Sequence, residues 1–198
     1  MLNRRFLPDE LAIARQRIAV LDLEPIMVKL MDKKEGKGWS LAKTQDEVAR
    51  YRNFLFLNAK YPDQRIVPTV DVDAVWHAHI LDTMKYSEDC QAIFGCFFHH
   101  FPYFGIRGAE DAKALSSAFS ETKRLYQLEF SGKFGVDASS ICDGGGDGDV
   151  NNSSICGCDG GEINTSSICG CDGGEISPAG VAEHHVVRPR LADLGLTV

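Results

Sequence analysis

The chain has 198 residues, 21 basic and 28 acidic side chains and a formal net charge of −7. Residues 1–131 hold 18 acidic and 18 basic side chains, whereas 132–198 hold 10 and 3 and carry the whole net charge together with 14 of the 19 glycines. Neither part offers a basic face suited to nucleic acid, and the acidic second part would be repelled by phosphate.

Taken in chain order, Pro8 to Leu21 reads as a helix. Pro8 suits a first turn, Asp9 and Glu10 favour its positive end, and Leu11, Ala14, Ile18 and Leu21 form a stripe. A short helix follows over Pro25 to Asp32, then a solvated loop, KKEGKG, at Lys33 to Gly38. Leu41 to Lys60 reads as a longer helix with Thr44 and Glu47 in capping-box spacing. Val48, Tyr51, Leu55 and Asn58 mark its apolar face, widened by Phe54 and Leu57. After an extended lead-in from Val67 to Val72, Asp71 or Asp73 caps a helix running to about Phe94, where Gly95 stops it. Trp76, Ile80, Met84 and Tyr86 are its core candidates. Cys96 to Gly108 is an aromatic loop held by Pro102. Ala109 to Phe130 is the final helix, with Ala112, Leu115, Phe119 and Leu125 to Leu128 as core positions. No segment alternates as a strand would. The expectation is an all-α fold, a compact bundle of about five helices over 1–131.

The composition shift at Ser131 marks the expected domain boundary. Residues 1–131 are long enough to bury a core. Residues 132–198 form a low-complexity acidic Cys/Gly tail with few large apolar groups, expected to stay disordered unless a metal, disulfides or a partner orders it. Ser-Ser-Ile-Cys recurs there at Ser139, Ser153 and Ser166. The N-terminus has no uninterrupted apolar run after its arginines, so no signal peptide is expected, and nothing later is long enough to span a membrane. On that basis the protein is expected in the cytoplasm. Its seven cysteines are then thiols, metal ligands or modification targets rather than a disulfide framework.

Asp71 to Gly105 holds four of the six histidines, two of the seven cysteines and one of the two tryptophans. It contains Asp73, Trp76-His77, Ile80-Leu81, Thr83, Tyr86, Cys90, Gly95 and His99-His100-x-Pro102. In this pattern the chain resembles the glycine-rich domain-containing protein-like family of bacteria and plants, over about residues 40–105. The resemblance implies a compact helical domain sharing the Trp-His, Cys and His-His set, and it carries no catalytic assignment. The repeats from Ser139 onward lie outside the pattern.

On a helix, Asp73 and His77 share a face. If the aromatic loop folds back, His99 or His100 comes beside His77 or Cys90. Two imidazoles and a thiolate would suit zinc or another borderline metal, with Asp73 orienting His77 from behind and Tyr86 on the adjacent face. A purely structural reading stands next to this one. In it His77 bonds Asp73 and the loop backbone, and Cys90 is an ordinary buried apolar group. A thiol or metal-dependent enzyme using His77, Cys90 and His99 is a further alternative, without any oxyanion hole in the sequence.

In the tail, Cys156-Gly-Cys158 and Cys169-Gly-Cys171 can give four thiolates to one soft ion, copper or zinc. The near-identical copies fit another role equally well: a ribosomal peptide precursor, with 1–131 as leader and the Ser/Cys pairs as substrates of a peptide-modifying enzyme. Asp147, Asp149 and Asn151 begin like a calcium loop, but Cys158 stands where the bidentate glutamate belongs. A bland linker built by duplication is the remaining option. The reading carried forward is a non-enzymatic binding or scaffold domain. Its expected partner is a protein or a peptide-modifying enzyme, not nucleic acid or a membrane.

Overall fold

A computed structural model describes residues 5–130 and 187–196, and among these the chain is all-α. Six α-helices follow in order: α1 Pro8–Ala19, α2 Glu24–Met31, α3 Leu41–Lys60, α4 Val70–Leu81, α5 Thr83–Phe94 and α6 Ala109–Phe130, with a 3-10 turn at Leu191–Leu194. None is long and apolar enough to cross a membrane.

The helix expected from Asp73 to Phe94 is two helices. Asp82 breaks it: its backbone leaves helical geometry and its carboxylate accepts from the Lys85 N–H, capping α5. Neither Asp71 nor Asp73 caps α4. Thr69 does, accepting from the Val72 N–H at 3.3 Å, which leaves Asp73 free to turn inward. Gly95 stops α5 as expected, at φ 70°, a left-handed conformation that glycine adopts without penalty. The cap of α3 is Ser40, whose hydroxyl accepts from the Lys43 N–H. Thr44 instead donates back to the Ser40 carbonyl at 2.8 Å, and Glu47 pairs with Arg50 at 2.6 Å.

Helix α3 is the centre of the bundle. It packs against α1, α2, α4 and α6, while α1 also meets α5 and α2 also meets α4. This explains why the apolar face expected from Val48, Tyr51, Leu55, Phe54 and Leu57 widens to take in Phe56 and Ala59 as well. A helix with neighbours on several sides buries more than one stripe. Corrections fall at the periphery. Met84 is 59% exposed and Leu128 65% exposed; Ala112 is also exposed, whereas Leu115 and Leu125 are buried.

Pro189–Leu196 group with the helical body rather than with the residues before them. Leu191 is buried in the common core, where it meets α2.

Candidate functional site

The site is built where α4 faces the loop after α5. Trp76 positions that loop. Its indole N–H donates to the Tyr86 hydroxyl at 2.9 Å, and that hydroxyl donates in a short hydrogen bond to the Phe98 carbonyl. The Phe98 ring stacks on the indole, with centroids 5.0 Å apart and planes 15° apart. One hydrogen bond, from a Tyr86 hydroxyl itself held by Trp76, and one stacking contact therefore hold Phe98, and the chain leaving it delivers His100 against the indole, with ring centroids 4.4 Å apart.

His100 meets Asp73 and His77 there. His77 Nε2 and His100 Nε2 are 3.0 Å apart, His100 Nε2 lies 3.2 Å from Asp73 Oδ1, and His77 Nε2 lies 3.4 Å from Asp73 Oδ2. Among the described residues, these three form the group whose ligand atoms converge closely enough to hold a metal ion. The side chain of Asp73 is 12% exposed, that of His100 19% and that of His77 50%, so the cluster is walled on one side and open on the other. The one-turn spacing from Asp73 to His77 is a property of α4 itself. The arrival of His100 is a property of the Trp76–Tyr86–Phe98 support.

A tetrahedral zinc ion with ligand bonds near 2.0–2.1 Å requires its donor atoms to stand about 3.3–3.4 Å apart. The two imidazole nitrogens stand 3.0 Å apart, and each lies 3.2–3.4 Å from a different oxygen of Asp73; taken one atom from each residue, the three lie within 4.8 Å of one another. Protons alone satisfy the arrangement poorly. Each neutral imidazole can place at most one N–H at Nε2, yet each Nε2 here faces both the other ring and a carboxylate oxygen.

Other sequence candidates lie elsewhere. Cys90 is buried against Tyr86 and the Phe98 backbone, and burial pushes its thiol up. It is placed as an apolar core group rather than as a ligand or nucleophile. His99 is exposed and packs on Phe97 at 4.8 Å, so it does not join His77. Tyr86 is the support just described. Asp73, expected behind His77, stands beside both imidazoles as a possible third ligand in its own right. Cys156, Cys158, Cys169 and Cys171, and with them the calcium-like run, lie outside the described residues.

Sequence reasoning assigned no role to His79. It is 1% exposed and links three helices: Nδ1 meets the Tyr51 hydroxyl at 3.0 Å and Nε2 meets Asp89 Oδ2 at 2.9 Å. Lys85 Nζ reaches the same oxygen at 2.8 Å. Burial pushes the Asp89 carboxyl up, but the hydrogen bonds from His79 and Lys85, with their charge, more than offset this and hold it below its ordinary range. The ionised carboxylate accepts the Nε2–H of His79, and the Tyr51 hydroxyl lies against Nδ1. The Tyr51 hydroxyl stays protonated, its pKa pushed well up by burial. The signal available in the sequence was the apolar setting of His79 two positions after His77, on the opposite side of one helix.

The UCP032817-like family model matches residues 15–124, which spans the whole site and its supports. Among curated proteins, glycine-rich domain-containing protein 1 of Arabidopsis thaliana is 32% identical over 94 residues, 46% of this chain and 11% of that protein. Glycine-rich domain-containing protein 2 of the same plant is 31% identical over 94 residues, 46% of this chain and 12% of that protein. The chain thus spans about a tenth of the length of these relatives. No solved structure matches it.

Proposed function

The chain belongs to the UCP032817-like family, and on that premise we propose that it is a non-enzymatic, metal-binding domain in which Asp73, His77 and His100 hold one divalent transition-metal ion. Zinc suits the donor set of two imidazoles and a carboxylate best. The observation that supports this most directly is the convergence of two imidazole nitrogens 3.0 Å apart on the two oxygens of one carboxylate, at 3.2 and 3.4 Å. The half-exposed His77 leaves the remaining position open to water or to a partner's donor group. Trp76 and Tyr86 serve as positioning residues, since they fix His100 without offering it a bond.

Two features argue against hydrolytic chemistry of the thiol kind. Cys90 is 2% exposed, and its thiol is pushed up rather than down, whereas a cysteine nucleophile needs access and a lowered pKa. The ion is therefore read as a ligand-presenting or ordering centre.

The test is cobalt(II) titration of the full chain after chelator treatment. The expected result is one strongly bound ion of nitrogen and oxygen coordination, with no sulfur-to-metal charge-transfer band for that ion. His100→Ala and His77→Ala should abolish this ion, and His99→Ala should leave it unchanged. Unaltered nitrogen/oxygen-coordinated cobalt in His100→Ala, or none in the unmodified chain, would end the proposal. Thiolate-bound cobalt alone would move metal binding to the Cys-Gly-Cys pairs.

A further inference from the structure

The segment after the repeats returns to the helical body as a short peptide would. Leu191 is 1% exposed and lies within the main core. Its backbone N–H donates to Glu24 Oε1 at 2.6 Å, and the Arg190 guanidinium donates to Glu24 Oε2 at 3.2 Å. The same guanidinium lies 2.8 Å from Asp22 Oδ2. Hydrogen bonds donated to Asp22 and Glu24 push the Arg190 pKa further up, so its charge is permanent. One glutamate at the start of α2 thus reads both a main-chain donor and a cation, while an apolar socket reads the leucine between them.

The segment also supplies its own local structure. Asp193 accepts from the Arg190 N–H at 2.7 Å and caps the 3-10 turn. Gly195, at φ 71°, closes the turn in a left-handed conformation, and the Leu196 N–H donates to the Leu191 carbonyl at 3.0 Å. From the body it needs only the socket and the two carboxylates of Asp22 and Glu24. The partners are 166 and 167 positions apart in sequence. At that separation, chain continuity raises effective concentration but creates no contact.

We propose that the start of α2 is a peptide-binding site whose occupant is the chain's own Arg190-Leu191-Ala192-Asp193-Leu194 segment, held by recognition rather than by connectivity. The consequence concerns the repeats. The copies at Ser139, Ser153 and Ser166 lie between two anchored points, Phe130, 5% exposed, and Leu191. A single cut among them would leave the C-terminal fragment bound. Releasing the repeat region as a free peptide would require a second cut before Arg190. A free tail, by contrast, would leave after one.

The experiment uses the full chain with a specific protease site placed within residues 144–148. After cutting, native mass spectrometry and gel filtration should show both fragments travelling together. A synthetic peptide of residues 187–198 should displace the bound fragment, and the same peptide carrying Leu191→Asp should not. In the cut protein, Leu191→Ala should speed fragment loss on the order of tenfold or more, as truncation of a buried leucine does. Glu24→Ala should also speed it, and uncut Glu24→Ala protein with unchanged helical circular dichroism would show that the body remains folded. Separation of the unmodified fragments directly after cutting would overturn the proposal. So would retention that neither Leu191→Asp in the chain nor competing peptide disturbs.

Discussion

His77 and His79 lie two positions apart on α4 and have opposite environments. The side chain of His77 is 50% exposed and faces His100, whereas that of His79 is 2% exposed and sealed between Tyr51 and Asp89. A helix turns about 200° over two residues, so one of any such pair faces out when the other faces in. The buried member has a pH signature. The Asp89 carboxyl sits below its ordinary value of 3.8, so its contribution to stability is present above that value and is lost as pH falls through the lower folded-state value. Asp89→Asn is therefore expected to cost about 1–3 kcal/mol near neutral pH, by weakening charge-assisted bonds to a buried histidine and Lys85. That deficit should shrink below pH 3.8. Chemical denaturation at neutral and acid pH measures it; a deficit that does not change with pH would contradict the assignment.

At the scale of elements, the loop from Cys96 to Gly108 decides whether there is a site at all. Its first part is held by Trp76 and Tyr86. Its end is held by Asp111, in the first turn of α6, which accepts from the Gly105 N–H at 2.6 Å and from the Arg107 guanidinium at 2.6 Å. The Arg107 bond lowers the Asp111 pKa to about 2, with the loop N–H groups adding to it. Gly105 allows this closure. Its φ is +98°, and a Cβ there would lie 2.4 Å from Leu115 Cδ2. Gly105→Ala is expected to destabilise the fold by about 1–3 kcal/mol through strain and overpacking. It should lower the midpoint of thermal unfolding, and an unchanged midpoint would show that Leu115 can yield. The neighbouring break at Asp82 works in the same direction, since it lets α5 leave the line of α4 and present Tyr86 to the Trp76 indole.

At the scale of the whole molecule, the proposed metal binding would be coupled to folding. The proposed ligands come from α4 and from a loop that follows α5, so an ion bound to all three would favour the folded chain. Zinc at a hundredfold excess over its dissociation constant is expected to add about 2.7 kcal/mol to the stability of the helical body. Thermal denaturation followed by helical circular dichroism should show this rise in the unmodified chain and none in His100→Ala. An equal rise in both would place the ion elsewhere. The buried ion pair of Glu47 and Arg50 in α3 is a different kind of global element. Burial pushes Glu47 up, and its Oε2 lacks a hydrogen-bond partner, so it contributes to the identity of the core more than to its strength.

What the sequence by itself determined is what local physics controls. Stripe spacing and composition gave the all-α class and placed α1, α3 and α6 nearly to the residue, because helix formation depends on neighbours within a few positions. The Asp73–His77 pair was legible for the same reason. The pattern around Trp76-His77 and His99-His100 also pointed to the family and to the segment that carries the candidate site. Only the tertiary structure decided which of the adjacent His99 and His100 turns inward, because that depends on how Phe98 is gripped by Trp76 and Tyr86 from other helices. It alone assigned Cys90 to the core, joined His79 to Tyr51 and Asp89, and returned Leu191 to α2. The contacts of His79, Phe98 and Leu191 join residues 10 or more positions apart, and no periodicity in the chain encodes a contact made across that distance.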